Sequence, residues 1–217
     1  MTEGLRERKK RETRRHISDT AIGLFVERGF EHVTITEVAA AAGVSANTVY
    51  NYFETKENLV LPPDQASPQR LADMVRDRGP GEAAVPAVLR TLREEVRRRD
   101  RRLGLSDEFG RVFEMMRAAP TLTARLEDLG RQMTDALAAV LAEETGAAPA
   151  DPLPCVVACQ VGALHELVYT EIGRRTATGE DPGTIAAAVL DIVDAAEDLL
   201  GGHILTYAVR EEPRCSE

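Results

Sequence analysis

The stretch TITEVAAAAGVSANTVYNYF, residues 34–53, constrains the fold of this chain more than any other. Thr34 followed three residues later by Glu37 has the form of a capping box and predicts that Thr34 or Ile35 sits just before a short helix. Val38, Ala39 and Ala42 supply its inner face. Gly43-Val44 makes a tight turn. Ser45 then caps a second short helix, Ala46 to Tyr52, with Val49 and Phe53 inward. Ala39, Ala40, Ala42 and Gly43 are small enough to let the two helices cross closely. This is a helix-turn-helix pattern, whose second helix lies in the major groove of DNA when it binds nucleic acid.

The remaining chain also reads as helix. Ile17, Ala21, Leu24 and Phe25 fall on one face of a helix over 14–28, which Gly29 ends. Lys56 and Glu57 open a further helix that Pro62-Pro63 stops. Helices are expected over 68–78, over 82–102, from Ser106 to Arg117, and from Pro120 to about Glu144. GAAPADPLP is the clearest linker. Two long helices follow, over about 154–178 and 182–208. The expectation is an all-α chain: a three-helix helix-turn-helix domain over 1–60 with a basic N-terminal arm, then a larger helical bundle over 61–217. Aromatic residues make up 4% of the chain and there is no Trp, a composition that favours helix over sheet.

Charge is unevenly distributed. The net charge is −9, yet residues 1–56 carry nine Lys or Arg against eight Asp or Glu. Arg6, Arg8, Lys9, Lys10, Arg11, Arg14 and Arg15 lie within ten residues. A basic end on an acidic body can touch DNA locally while the body stays away from it.

Several function classes are excluded at this level. No uninterrupted apolar run approaches the roughly 20 residues of a membrane helix. The basic start lacks the apolar stretch of a signal peptide, so a cytoplasmic protein is expected. Three cysteines (Cys155, Cys159, Cys215) cannot all pair within one chain, and only four His are present, none with zinc spacing. No metal or other cofactor is expected. No phosphate-binding loop, dinucleotide fingerprint or nucleophile elbow occurs, so nothing supports an enzyme.

The predicted recognition helix has DNA-binding chemistry. Ser45, Asn47, Thr48, Tyr50, Asn51 and Tyr52 are donors able to reach phosphates and base edges. The stretch ISDTAIGLFVERGFEHVTITEVAAAAGVSANTVYNYFETKENL, residues 17–59, further resembles the DNA-binding segment of TetR-family transcriptional regulators. The LF-x-x-x-GF step, the TITEVA entry, AGVS and the T-V-Y-N-Y-F-x-x-K-E-x-L ending agree at once. The resemblance implies three N-terminal DNA-binding helices, a divergent effector-binding domain and a homodimer. By position it puts backbone contacts on Thr34, Thr36, Ser45, Thr48, Tyr52 and Lys56. Base reading falls on Ala46, Asn47, Tyr50 and Asn51. Ile35 departs from the family, many of whose members have Thr there. The basic arm is expected to add phosphate or minor-groove contacts.

The last two long helices have wide apolar faces, on Val156, Val157, Val161, Leu164, Leu167, Val168 and Ile172, and on Ile185, Val189, Leu190, Ile192, Val193, Ala196, Leu199 and Leu200. Such faces need a partner; the resemblance makes them a homodimer interface, and internal core is the alternative. Phe109, Phe113, Met116, Met133, His165, Glu166 and Tyr169 combine apolar lining with polar handles and are the expected ligand-binding residues. The sequence thus leads to a homodimeric repressor that binds a near-palindromic double-stranded operator and is released by a small-molecule effector. Two alternatives stand beside it. One is the same DNA binder acting as an activator or without a ligand. The other is a helical ligand-binding or interaction protein that does not touch DNA.

Overall fold

The computed structural model describes residues 4–61, 66–100, 103–106 and 108–211. Its elements are α1 (Leu5–Arg28), α2 (Ile35–Ala41), α3 (Ala46–Tyr52), α4 (Arg70–Arg76), α5 (Ala84–Arg97), α6 (Phe109–Ala118), α7 (Pro120–Thr145), α8 (Leu153–Ala177), α9 (Pro182–Leu199) and α10 (Gly202–Leu205). A 3-10 turn occupies Glu57–Leu59. Among the described residues there is no strand beyond one isolated bridge, Ala83 to Val209. The all-α expectation holds. The expected stop at Pro62-Pro63, Arg101, Arg102 and Cys215 lie outside the described residues.

The chain forms two compact units: residues within Met1–Ala66 with Arg111–Leu126, and residues within Ser67–Gly110 with Glu127–Glu217. The first unit therefore takes in a helical segment some fifty residues beyond the helix-turn-helix. Hydrophobic periodicity could not reveal this, because it marks which face of a helix is buried and not what buries it.

In the first unit, Ile17, Ala21 and Phe25 of α1 are fully buried with Val38 of α2, Val49 of α3 and Leu59. The Phe25 and Phe30 rings meet edge to face at 4.9 Å. Two polar ties fix α1 further. His16 Nε2 donates to Ala42 O at 3.2 Å, and Ser18 Oγ donates to Leu59 O at 2.6 Å. The helix starts nine residues before the expected Arg14, so the basic residues are helical and not a loose arm. Arg, Lys and Glu are good helix formers, and Arg8 pairs with Glu12 one turn on, at 3.6 Å. The helix expected to open at Lys56 is only the 3-10 turn.

In the second unit, α4 packs on α5, α5 on α9, and α8 on α9. Val85, Val88, Leu89, Leu92 and Val96 of α5 and Ile185, Val189 and Val193 of α9 form its core. Arg93 of α5 pairs with Asp194 and Glu197 of α9. The expected helix over 182–208 is broken. Leu200 turns extended, and Gly201-Gly202 separates α9 from the short α10. The chain after α10 is pinned by Arg78, which is 2% exposed. Its guanidinium donates to both carboxylate oxygens of Glu144 and to the carbonyls of Val75, Glu82 and Ala208. Five hydrogen bonds make the burial of a full charge tolerable.

Helix α8 corrects the exclusion based on apolar runs. By length and composition it is apolar enough to cross a membrane. An uninterrupted run does not register it because Gln160, His165 and Glu166 break up its apolar residues. Only part of α8 is internal core: Val157, Ala158, Val161, Val168 and Ile172 are buried, whereas Leu153, Val156 and Leu167 are about half exposed.

Candidate nucleic-acid interface

Two N-caps set the geometry of the helix-turn-helix. The Thr34 hydroxyl accepts from the Glu37 backbone N–H at 3.2 Å, and the Glu37 carboxylate accepts from the Thr34 N–H at 2.8 Å. The predicted capping box is present in both directions. The Thr34 N–H and the Thr34 hydroxyl both donate to the Glu37 carboxylate, and these bonds, more than the nearby Arg28 and Lys56, hold that carboxyl below its ordinary pKa. At the next helix, Ser45 Oγ accepts from the Thr48 N–H at 3.0 Å. Between them Gly43 adopts φ +68°, the left-handed conformation that favours glycine in a tight turn.

With Val49 fully buried and Phe53 nearly so, the opposite side of α3 is turned outward. At about 100° per residue, Asn47, Tyr50 and Asn51 form one contiguous face. All three are exposed, Tyr50 by 56%. Ala46 borders that face on one side, and Thr48 and Tyr52 on the other; these three are half-buried. Thr34, Thr36 and Ser45 are exposed at the starts of the two helices. The fold thus brings nine of the ten expected DNA-contact residues onto α2, α3 and their caps.

Lys56 differs. Its ammonium donates to the Phe30 carbonyl oxygen at 2.5 Å and stands over the Phe30 ring at 4.3 Å and the Phe25 ring at 5.5 Å. It therefore ties the segment after α3 to the loop after α1, a role that sequence reasoning missed. Nothing local in the sequence signals a partner 26 residues away. The basic residues of α1 form a separate charged surface: Arg6, Arg8, Lys9, Lys10, Arg11 and Arg15 are exposed, and Arg14 lies over the Phe53 ring at 5.3 Å.

A groove of about 440 Å³ lies in the same unit, between the end of α1 and α6. Phe25, Phe30, His32, Arg111, Glu114 and Met115 help to line it. Beside it, Thr121 Oγ1 donates to Glu31 Oε1 at 3.0 Å. Neither feature was anticipated from sequence.

The expected ligand-binding residues divide between the two units. Phe113 and Met116, both buried, belong to the first, and Arg117 lies over the Phe113 ring at 5.8 Å. Phe109, Met133, His165, Glu166 and Tyr169 belong to the second. There Phe109 meets Tyr169 edge to face at 5.5 Å, Met133 is buried, and Glu166 is exposed. His165 Nε2 accepts from Arg70 Nε at 3.3 Å, and Arg70 pairs with Glu95 at 2.6 Å. Burial, and then the Arg70 charge, lower the His165 pKa to about 4. His165 is therefore neutral near pH 7 with its proton on Nδ1, a hydrogen-bond donor. Burial pushes the Tyr169 phenol well above its ordinary pKa. Arg70 and Glu95 were not anticipated either, being 95 and 70 residues from His165.

The family model of bacterial regulatory proteins of the tetR family matches residues 17–61, the segment that contains the caps, the turn and α3. The HTH-type transcriptional regulator TcmR of Streptomyces glaucescens is 30% identical over 146 residues, 66% of this chain and 65% of TcmR. Residues 17–61 thus carry the DNA-binding segment of the tetR family. The match to TcmR spans slightly under two thirds of that relative's length. Two solved structures share the fold. Native NalD, the secondary repressor of the MexAB-OprM multidrug efflux pump in Pseudomonas aeruginosa, has a TM-score of 0.56 at 19% identity, covering 87% of this chain and 96% of NalD. The SmeT–triclosan complex has a TM-score of 0.55 at 20% identity, covering 94% of this chain and 100% of SmeT.

Proposed function

We propose that this chain is a homodimeric TetR-family transcriptional repressor that reads a near-palindromic operator through α3 and is released by a small-molecule ligand. The observation that carries the reading is the exposed face Asn47-Tyr50-Asn51 on a helix whose opposite side is buried. Asn47 has the bidentate geometry for adenine, and Ala46 and the Tyr50 ring suit thymine methyl groups. Thr34, Thr36, Ser45, Thr48 and Tyr52 border that face and serve as backbone contacts. Lys56 supports the loop at Phe30 and so positions the domain.

The half-exposed apolar residues Leu153, Val156 and Leu167 of α8, with Leu199 of α9, support pairing of two copies through these helices. A two-fold pair places its recognition helices about 34–36 Å apart, one turn of DNA. The ligand site centres on Phe109, Met133, His165 and Tyr169 of the second unit, where the Phe109 and Tyr169 rings meet and His165 is held by Arg70. SmeT, a protein of the same fold, is found in complex with triclosan, which supports a ligand-responsive reading. The ligand must bind the released state better than the DNA-bound state, or it shifts nothing.

The test is selection of genomic fragments by the purified protein, repeated with Asn47→Ala and Tyr50→Ala. A shared near-palindrome that loses enrichment with both variants is the expected result. Well-folded protein with no enriched sequence would overturn the reading.

A further inference from the structure

We propose that Cys155 and Cys159 form a two-thiol site for a trivalent organoarsenical, a species R–As(OH)₂ that takes two sulfur ligands. Both residues are exposed on the first two turns of α8, and their Sγ atoms are 4.0 Å apart. They stand at i and i+4, so they share one helix face. Two bonds to one soft atom, at the roughly 2.3 Å typical of metal–thiolate bonds, place the sulfurs within about 4 Å of each other. The pair spans one such atom with little side-chain rotation. A disulfide would need the sulfurs to close to about 2.05 Å, as well as an oxidant.

The surroundings choose the kind of atom. Among the described residues no group of three or more His, Cys, Asp or Glu could hold a metal ion. A four-coordinate ion would lack half its ligands here. Arsenic(III) with one carbon substituent needs only the two sulfurs. The exchange balances without any redox change. Two As–S bonds form, two As–O bonds and two S–H bonds break, and the two protons leave with the oxygens as two waters. Partial desolvation and the neighbouring Cys155 raise the Cys159 pKa above its ordinary value, so this residue is a thiol near neutral pH. The exchange accommodates that, because the departing hydroxyls accept the protons.

On the helix surface the two thiols stand about a quarter turn from Val156 and Leu167, which the dimer would cover. The proposal does not depend on DNA binding.

The test uses the full-length protein with Cys215→Ser, so that only these two thiols remain, and phenylarsine oxide as the probe. Intact mass measurement should find one phenylarsenic per chain, without oxygen, and both thiols should become unreactive to titration. Excess 2-mercaptoethanol should leave the adduct in place, and 1,2-ethanedithiol should remove it. Cys155→Ser, Cys159→Ser and Cys159→Ala, added singly, should each lower retention against the monothiol at least tenfold with no change in Tm. An adduct stripped from the parent by monothiol, or retained in any single variant, would overturn the proposal, as would no adduct at all.

Discussion

Lys56 donates its ammonium proton to the Phe30 carbonyl oxygen at 2.5 Å while standing over the Phe30 ring. One side chain thus caps a loop carbonyl and supplies a cation–π contact inside the DNA-binding unit. A charged hydrogen bond contributes about 1.5–3 kcal/mol and a partly exposed cation–π contact about 0.5–1 kcal/mol. Lys56→Met keeps the aliphatic stem and removes the charge. Its expected effect is a stability loss of about 2 kcal/mol in urea unfolding, with the salt dependence of DNA affinity little changed. A salt slope lowered by about one at unchanged stability would assign the ammonium to a phosphate instead.

The basic residues of α1 should behave oppositely. Arg6, Lys9 and Lys10 are exposed, so replacing all three with Gln should leave Tm nearly unchanged. Each cation withdrawn from a phosphate lowers the slope of log affinity against log salt by about 0.9. A flatter slope with weaker binding is expected, measured by titrating a labelled operator at several salt concentrations. An unchanged slope would remove α1 from the interface.

His165 predicts an acid dependence of stability. Its pKa is about 4 in the folded chain against an ordinary value of 6.5. The unfolded chain therefore binds the extra proton first as pH falls. Stability from this residue is complete above about pH 6.5, declines toward pH 4, and is lost below it. The limiting slope is about 1.4 kcal/mol per pH unit. Urea unfolding between pH 7 and 5 should show the wild type losing stability relative to His165→Gln, in a window above the ordinary carboxylate range. A difference independent of pH would place His165 near its ordinary pKa.

Two glycines separate a rigid contact from a yielding one. A Cβ on Gly110 would lie 2.5 Å from Ala177 N and 2.6 Å from Ala177 Cα and Thr176 C, all backbone. A Cβ on Gly162 would lie 2.4 Å from the Thr134 hydroxyl, which can rotate away. Gly110→Ala should cost about 3 kcal/mol as overpacking. Gly162→Ala should fall within about 1 kcal/mol of the parent, because Ala also improves helix propensity. Thermal unfolding of both variants checks the contrast; equal losses would contradict it.

The parts of the site legible in the sequence are those made by near neighbours. The Thr34–Glu37 capping box, the Ser45 cap and the Gly43 turn close over three or four residues, so chemistry and spacing suffice to place them. They orient α2 and α3 and thereby expose Asn47, Tyr50 and Asn51. The illegible parts join distant segments: Lys56 to Phe30, Arg70 to His165 and Glu95, Arg78 to Glu144, Thr121 to Glu31. The break at Gly201-Gly202 escapes a reading by periodicity because the apolar pattern runs on past the two adjacent glycines.

Sequence alone determined α2 and α3, their Thr34 and Ser45 caps and the outward face of α3, because those follow from backbone hydrogen bonds and side chains within one turn. Tertiary structure decided that Arg111–Leu126 joins the DNA-binding unit, that Lys56 is bound to Phe30, and that His165 is neutral beside Arg70. Each of these depends on which helices pack together. An isolated segment cannot encode that choice, since burial sets both the contact and the charge state of the groups that make it.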